Sequence, residues 1–197
     1  MESELIFLGY SAQERRAGEW AERLGVERIA NVGQSRHKDW LEACNWNFNS
    51  ALCWNSEAEG WSAVSEADRG GYEMFAYWIL PCFLRGDEPV DPRGLAKIFP
   101  DTFPHFPPPS PVPLSPAYRV LGCDIVGIGL VGTSGVLPYG TSPLSDNLMA
   151  TETKVNRLCL IDSLDDAIAF ARRCNVEHPE PELFYILRLA RLELPHD

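Results

Sequence analysis

Short continuous apolar runs alternate along this chain with stretches in which apolar residues recur every three or four positions. The run Leu5-Ile6-Phe7-Leu8-Gly9-Tyr10 reads as a buried strand. Ser11-Ala12-Gln13-Glu14 then has the form of a capping box, with a serine hydroxyl and a glutamate three positions on. A helix is expected to follow, with Ala17, Trp20, Ala21 and Leu24 on one face and Gly25 as its C-terminal stop. Val26–Val32 is a second strand candidate, and the opening therefore reads as a βαβ unit.

Further along, His37–Cys44 is weakly helical, and Trp46–Asn49 alternates like a half-buried strand that Ala51–Trp54 extends. Ser56-Glu57-Ala58-Glu59 repeats the capping-box pattern and opens a short helix through Trp61 and Val64. Gly70-Gly71 breaks the pattern before Tyr72–Leu84, an aromatic-rich run expected to be a central strand with Pro81 at a bulge or edge. Tyr118–Leu121 reads as a helical turn closed by Gly122, and Cys123–Val131 and Arg157–Ile161 as strands. Ser163-Leu164-Asp165-Asp166 caps a helix whose apolar face holds Leu164, Ala167, Ile168 and Ala171, with Arg172 and Arg173 at its far end. Phe184–Leu194 closes the chain as a long alternating strand. The sum is an α+β fold: a mixed, largely antiparallel sheet with a few short helices.

Residues 100–116 hold 8 of the chain's 16 prolines and exclude both helix and inner strand. They divide a single domain, 1–197, into lobes 1–99 and 117–197 joined by a proline-rich connector. Phe99, Phe103 and Phe106 recur through this arm, so it is expected to dock along the body rather than swing free.

Charge narrows the function. Seventeen Lys and Arg face 28 Asp and Glu over 197 residues, a formal net charge of −11. No basic run exceeds two residues, Arg15-Arg16 and Arg172-Arg173, so phosphate neutralisation has no foundation and nucleic acid is not an expected ligand. The acidic start at Met1-Glu2-Ser3-Glu4 lacks the basic region of a secretory signal, and no apolar stretch reaches the roughly 20 residues that span a bilayer. Six cysteines at 44, 53, 82, 123, 159 and 174 fall in separate runs, four of them apolar, as free buried thiols do. A reduced, cytoplasmic protein is expected.

Chemical motifs are sparse. Gly127-Ile-Gly129-Leu-Val-Gly132 has the letters of a dinucleotide fingerprint, but the sequel Thr133–Gly140 is a poor helix. Glycines of a twisted hairpin account for it better. The four histidines lie at no metal-ligand spacing, no Cys-x-x-Cys occurs, and no Gly-x-Ser-x-Gly elbow is present. Neither cofactor nor metal is expected, and no catalytic residue is assigned.

Two features remain as candidate binding elements. Six tryptophans crowd the first 78 residues, and Trp40, Trp46 and Trp54 stand out, interleaved with asparagines as an interface would use them. The polar loop around Ser142, Ser145, Asp146 and Asn147 concentrates hydroxyls, a carboxylate and an amide. Together with the acidic charge they suggest a small binding protein that recognises another protein, preferably a basic one, as an adaptor, inhibitor or immunity-type antidote. The alternative is an enzyme with a dispersed active site in the seam between the lobes. The pattern sets no oligomeric state.

Overall fold

The computed structural model describes residues 5–14, 19–27, 56–62, 64–80, 82–83, 89–90, 117–129, 153–177 and 182–193. They build a four-stranded sheet from β1 (Ile6–Glu14), β2 (Tyr72–Leu80), β5 (Tyr118–Gly129) and β6 (Glu182–Leu192), in the order β1-β2-β6-β5. Every neighbouring pair in it is antiparallel. Cys82–Phe83 (β3) and Pro89–Val90 (β4) form a separate two-stranded ladder. Among the described residues, three α-helices accompany the sheet: α1 (Glu19–Leu24), α2 (Glu57–Ser62) and α3 (Leu164–Glu177). The fold is α+β. The proline-rich arm 100–116 and most of the predicted strand 26–32 lie outside the described residues.

The ladder between β2 and β6 runs from Phe75↔Arg191 to Leu80↔Ile186 and joins residues from the two halves of the sequence. Its side chains alternate cleanly, as a period of two requires. One face carries Met74, Ala76, Trp78 and Leu80 beside Ile186 and Ala190; both α2 and α3 pack there. The other carries Phe75, Tyr77, Ile79, Tyr185, Leu187 and Leu189, each 1% exposed or less. Strands buried on both faces read as near-continuous apolar runs, which is why 72–84 and 184–194 stood out in the sequence.

α3 covers one end of its face. Ala167, Ile168, Phe170, Ala171 and Cys174 pack on Leu80, Cys123, Ile125, Phe184 and Ile186, with Leu164 partly buried against them. Ser163 caps the helix as expected, its Oγ accepting the Asp166 N–H at 3.3 Å. The helix runs on to Glu177, however, so Arg172 and Arg173 sit a turn before its end instead of closing it. At its far end Asn175, 2% exposed, donates to the Phe184 carbonyl at 3.1 Å and accepts the Phe184 N–H at 2.9 Å. That paired clamp ties α3 to the start of β6.

Four expectations need correction. The capping box at Ser11–Glu14 opens no helix; β1 continues through Glu14, where eight pairings to β2 outweigh the local cap. Ser11 and Gln13 are buried, and Gln13 Nε2 donates to the Tyr77 hydroxyl. The helical turn at Tyr118–Leu121 is the beginning of β5, and Gly122 marks a register slip there, with φ +143°. A Cβ on Gly122 would stand 2.9 Å from the Ile161 carbonyl oxygen, so glycine lets a neighbouring loop approach. The run Tyr72–Leu84 breaks before Pro81, which lies outside the described residues, so the inner strand ends at Leu80. Finally, Arg157–Ile161 is a turn rather than a strand, and only Ile161 bridges to Cys123. Gly25, by contrast, ends α1 as read: its N–H donates to Glu22 O at 3.1 Å, the Val26 N–H to Ala21 O at 3.0 Å, and its φ is +66°.

The turn exists because of Asn156. Its amide group donates to Leu121 O at 2.9 Å and to Asp162 Oδ1 at 2.7 Å, while its carbonyl accepts the N–H groups of Leu158 at 2.9 Å and Leu160 at 3.2 Å. A side chain that captures two nearby amides outcompetes extended pairing. The turn includes Cys159 at φ +59°, buried among apolar neighbours. Asn156→Ala removes all four bonds and strands partly buried groups, so it should cost about 3 kcal/mol of stability. Urea unfolding measures this, and an unchanged midpoint would refute the role given to Asn156.

Candidate functional site

The carboxylates of the first half are densest between residues 56 and 73. Glu57, Glu59, Glu66, Asp68 and Glu73 stand there against the single cation Arg69. Local structure turns most of them outward. Ser56 caps α2, its Oγ accepting the Glu59 N–H at 3.2 Å, as the capping box predicts. Gly60 is buried, and Val64 and half-buried Trp61 pack on Ala12 and Met74 of the sheet. The following turn folds back through Ser65, whose hydroxyl donates to Asp68 Oδ2 at 2.5 Å, and through Arg69, whose Nη2 donates to the Trp61 carbonyl at 3.4 Å. Anchoring the apolar side leaves Glu59, Glu66 and Asp68 exposed. Glu73 is different: it is withdrawn into an ion pair with Arg191 at 3.0 Å across the β2–β6 ladder.

Beside this acidic rim lies an aromatic floor. Phe7 meets Tyr10 edge-on with ring centroids 5.2 Å apart, Phe7 lies 5.3 Å from Trp78, and Tyr10 lies 6.0 Å from Tyr118. The four rings close over Ala76 and Ala190, which face each other in the ladder and leave room above them. A register slip between Phe7 and Gly9 puts Phe7 and Tyr10 on the same face, three residues apart. Tyr10, Trp61 and Tyr72 remain half-buried, packed against Ala12, Val64 and Met74.

Glu57 links the rim to the floor. Burial, first, pushes the Tyr118 phenol far above its ordinary range, and the Glu57 carboxylate beside it adds to the rise. Tyr10 is raised by the same two causes in the same order. An acidic rim around half-buried aromatic rings can receive cations by charge and by the ring faces together.

The expected binding residues Trp40, Trp46, Trp54, Ser142, Ser145, Asp146 and Asn147 all lie outside the described residues. Of the remaining tryptophans, Trp61 belongs to the acidic corner and Trp78 is a core residue at 7% exposure. Tyr10, Tyr118 and Glu57 were not singled out from the sequence. The acid-rich composition of 56–73 was a visible signal for Glu57, but the two tyrosines meet only through strand pairing. Among the described residues no group of three or more His, Cys, Asp or Glu is placed to hold a metal ion, and no helix is long and apolar enough to cross a membrane. Compared with protein-family models, with curated proteins and with solved structures, the chain matches none.

The raised phenols give a pH test. A tyrosine that holds its proton more tightly folded than unfolded contributes stability in full below the unfolded pKa and loses it as pH rises beyond. Cys123 acts in the same direction. Burial pushes its thiol up to about 11, with Arg188 lowering and Asp124 raising it to smaller extents. Stability from these groups should therefore stay level from about pH 7 to 8 and fall once the thiol and phenols ionise in the unfolded chain, near their ordinary values. Glu57→Gln should make the fall above about pH 10 shallower. Denaturant unfolding across that range checks both, and a Glu57→Gln profile as steep as wild type would count against Glu57's place beside the phenols.

Proposed function

We propose that this chain is a small acidic binding protein that recognises another protein through a basic surface, as an adaptor, inhibitor or immunity-type antidote. The observation that carries the reading is that the exposed carboxylates of Glu59, Glu66 and Asp68 belong to the same segment, 56–73, as Trp61 and Tyr72, which pack half-buried with Tyr10. Carboxylates at a rim steer encounter and select against acidic partners, and aromatic anchors inside the rim supply the desolvated contact. Trp40, Trp46 and Trp54, and the loop with Ser142, Ser145, Asp146 and Asn147, are proposed to extend the same recognition surface.

The alternative, an enzyme working in a seam between the halves, keeps no observation in its favour along β2–β6. There the halves meet in a closed ladder of six pairs in which ten of the twelve side chains are buried, Arg188 and Arg191 being partly exposed. A cytoplasmic location is proposed with the binding role, supported by Cys123, Cys159 and Cys174, buried cysteines that take part in no disulfide.

A partner recovered by cross-linking in the native host provides the test. Reversing three exposed carboxylates together, Glu59→Lys, Glu66→Lys and Asp68→Lys, should slow association with that partner by about tenfold or more at low salt and flatten its salt dependence. A partner captured equally by the reversed variant would sink the acidic corner as the recognition site. The thiol state has its own measurement. Alkylation of denatured, unreduced protein should give adducts on all six cysteines, and two or fewer would contradict a reduced compartment.

A further inference from the structure

A groove of about 450 Å³ lies between residues 153–154 and α3, over another region of the fold from the acidic corner. Among the described residues it is lined by Thr153, Lys154, Asp166, Ala169, Phe170 and Arg173. Its origin is local: Asp166, Ala169, Phe170 and Arg173 are spaced i, i+3, i+4, i+7 and form one stripe of the helix. Ala169 is the short side chain in the middle, so the stripe is hollow between two charged ends. The Arg173 guanidinium lies 4.9 Å over the Phe170 ring and 4.0 Å from Glu177, which orients it before any ligand arrives.

The charges decide what fits. A simple anion would be met by Lys154 and Arg173 but opposed by Asp166, and a simple cation the reverse. A ligand carrying both charges, with its anion toward the basic end, satisfies the whole lining. Seven helical residues rise about 10 Å, so the opposite charges of the ligand must stand well apart. A free amino acid is too short for that, whereas about three extended residues span the distance. The volume falls within the range of small-ligand sites.

We propose that this groove binds a short peptide with free ends, its ammonium at Asp166, its carboxylate at Arg173 and Lys154, and a central apolar side chain over Ala169 and Phe170. Thr153 can exchange a hydrogen bond with the peptide backbone. The site is independent of the protein-recognition reading and stands or falls by itself.

The probe is the tripeptide Gly-Leu-Gly titrated into the isotope-labelled full chain and followed by amide NMR shifts. Saturable shifts at residues 153–154 and 166–173 are expected, with N-acetylation or C-amidation of the peptide each weakening binding at least about tenfold. Asp166→Asn should abolish the penalty for acetylation, and Lys154→Gln, at an exposed position, should shrink the penalty for amidation. Arg173→Gln should do the same more strongly if the spectrum elsewhere stays native. No saturable shift, shifts centred elsewhere, or doubly blocked peptide binding as tightly as the free one would each overturn the proposal.

Discussion

Pairing of β2 with β6 is the contact on which the other described features depend. The facing residues Ala76 and Ala190 are about 110 positions apart, so the closure entropy of a long loop is spent before that ladder returns anything. What repays it is burial on both sides at once. Phe75, Tyr77, Ile79, Tyr185, Leu187 and Leu189 bury one face, while Leu80, Trp78, Ile186 and Ala190 bury the other. At roughly 1.5–3 kcal/mol for each, the eight large apolar side chains among its twelve paired positions outweigh the closure cost of a single loop several times over. β1 and β5 then add to a core that already exists.

Small residues at the centre of the ladder shape the surface above it. Because Ala76 and Ala190 face one another, Phe7, Tyr10, Trp78 and Tyr118 can lean inward over them. Their outer edge meets the acidic segment that α2 and the turn at 65–71 present. α3 occupies the other end of the same face and is pinned by Asn175 at its close and by Ser163 at its start. Both candidate binding features thus ride on short helical segments seated on a two-sided sheet. Such seating keeps side chains placed without asking a loop to hold them.

Glycines at two bulges link local geometry to these surfaces. With φ values of +130° and +143°, Gly9 and Gly122 shift the register by one and exchange which side chains face the helices. Without the slip near Gly9, Phe7 and Tyr10 would point to opposite faces and the aromatic floor would lose a ring. Without the one at Gly122, Cys123 would leave the cluster under α3, and the loop held by Asn156 would find no space against β5.

The sequence by itself determined the parts whose signals are local. Continuous apolar runs marked β2 and β6, serine caps marked α2 and α3, and Gly25 marked the end of α1, because each depends on residues within a turn or a strand's length. It misread Ser11–Glu14 and Tyr118–Gly122 for the same reason. A serine with a glutamate three positions on suits a helix start, and a glycine with positive φ suits a helix end, yet both segments are strands once distant partners supply their hydrogen bonds. Acid-rich composition over 56–73 was legible, but the meeting of Glu57 with Tyr10 and Tyr118 was not. Those three residues come from a helix and two opposite edge strands of the sheet. Only the tertiary structure decided that neighbourhood, since strand order, bulge register and helix seating are settled by long-range burial, which leaves no spacing to read along the chain.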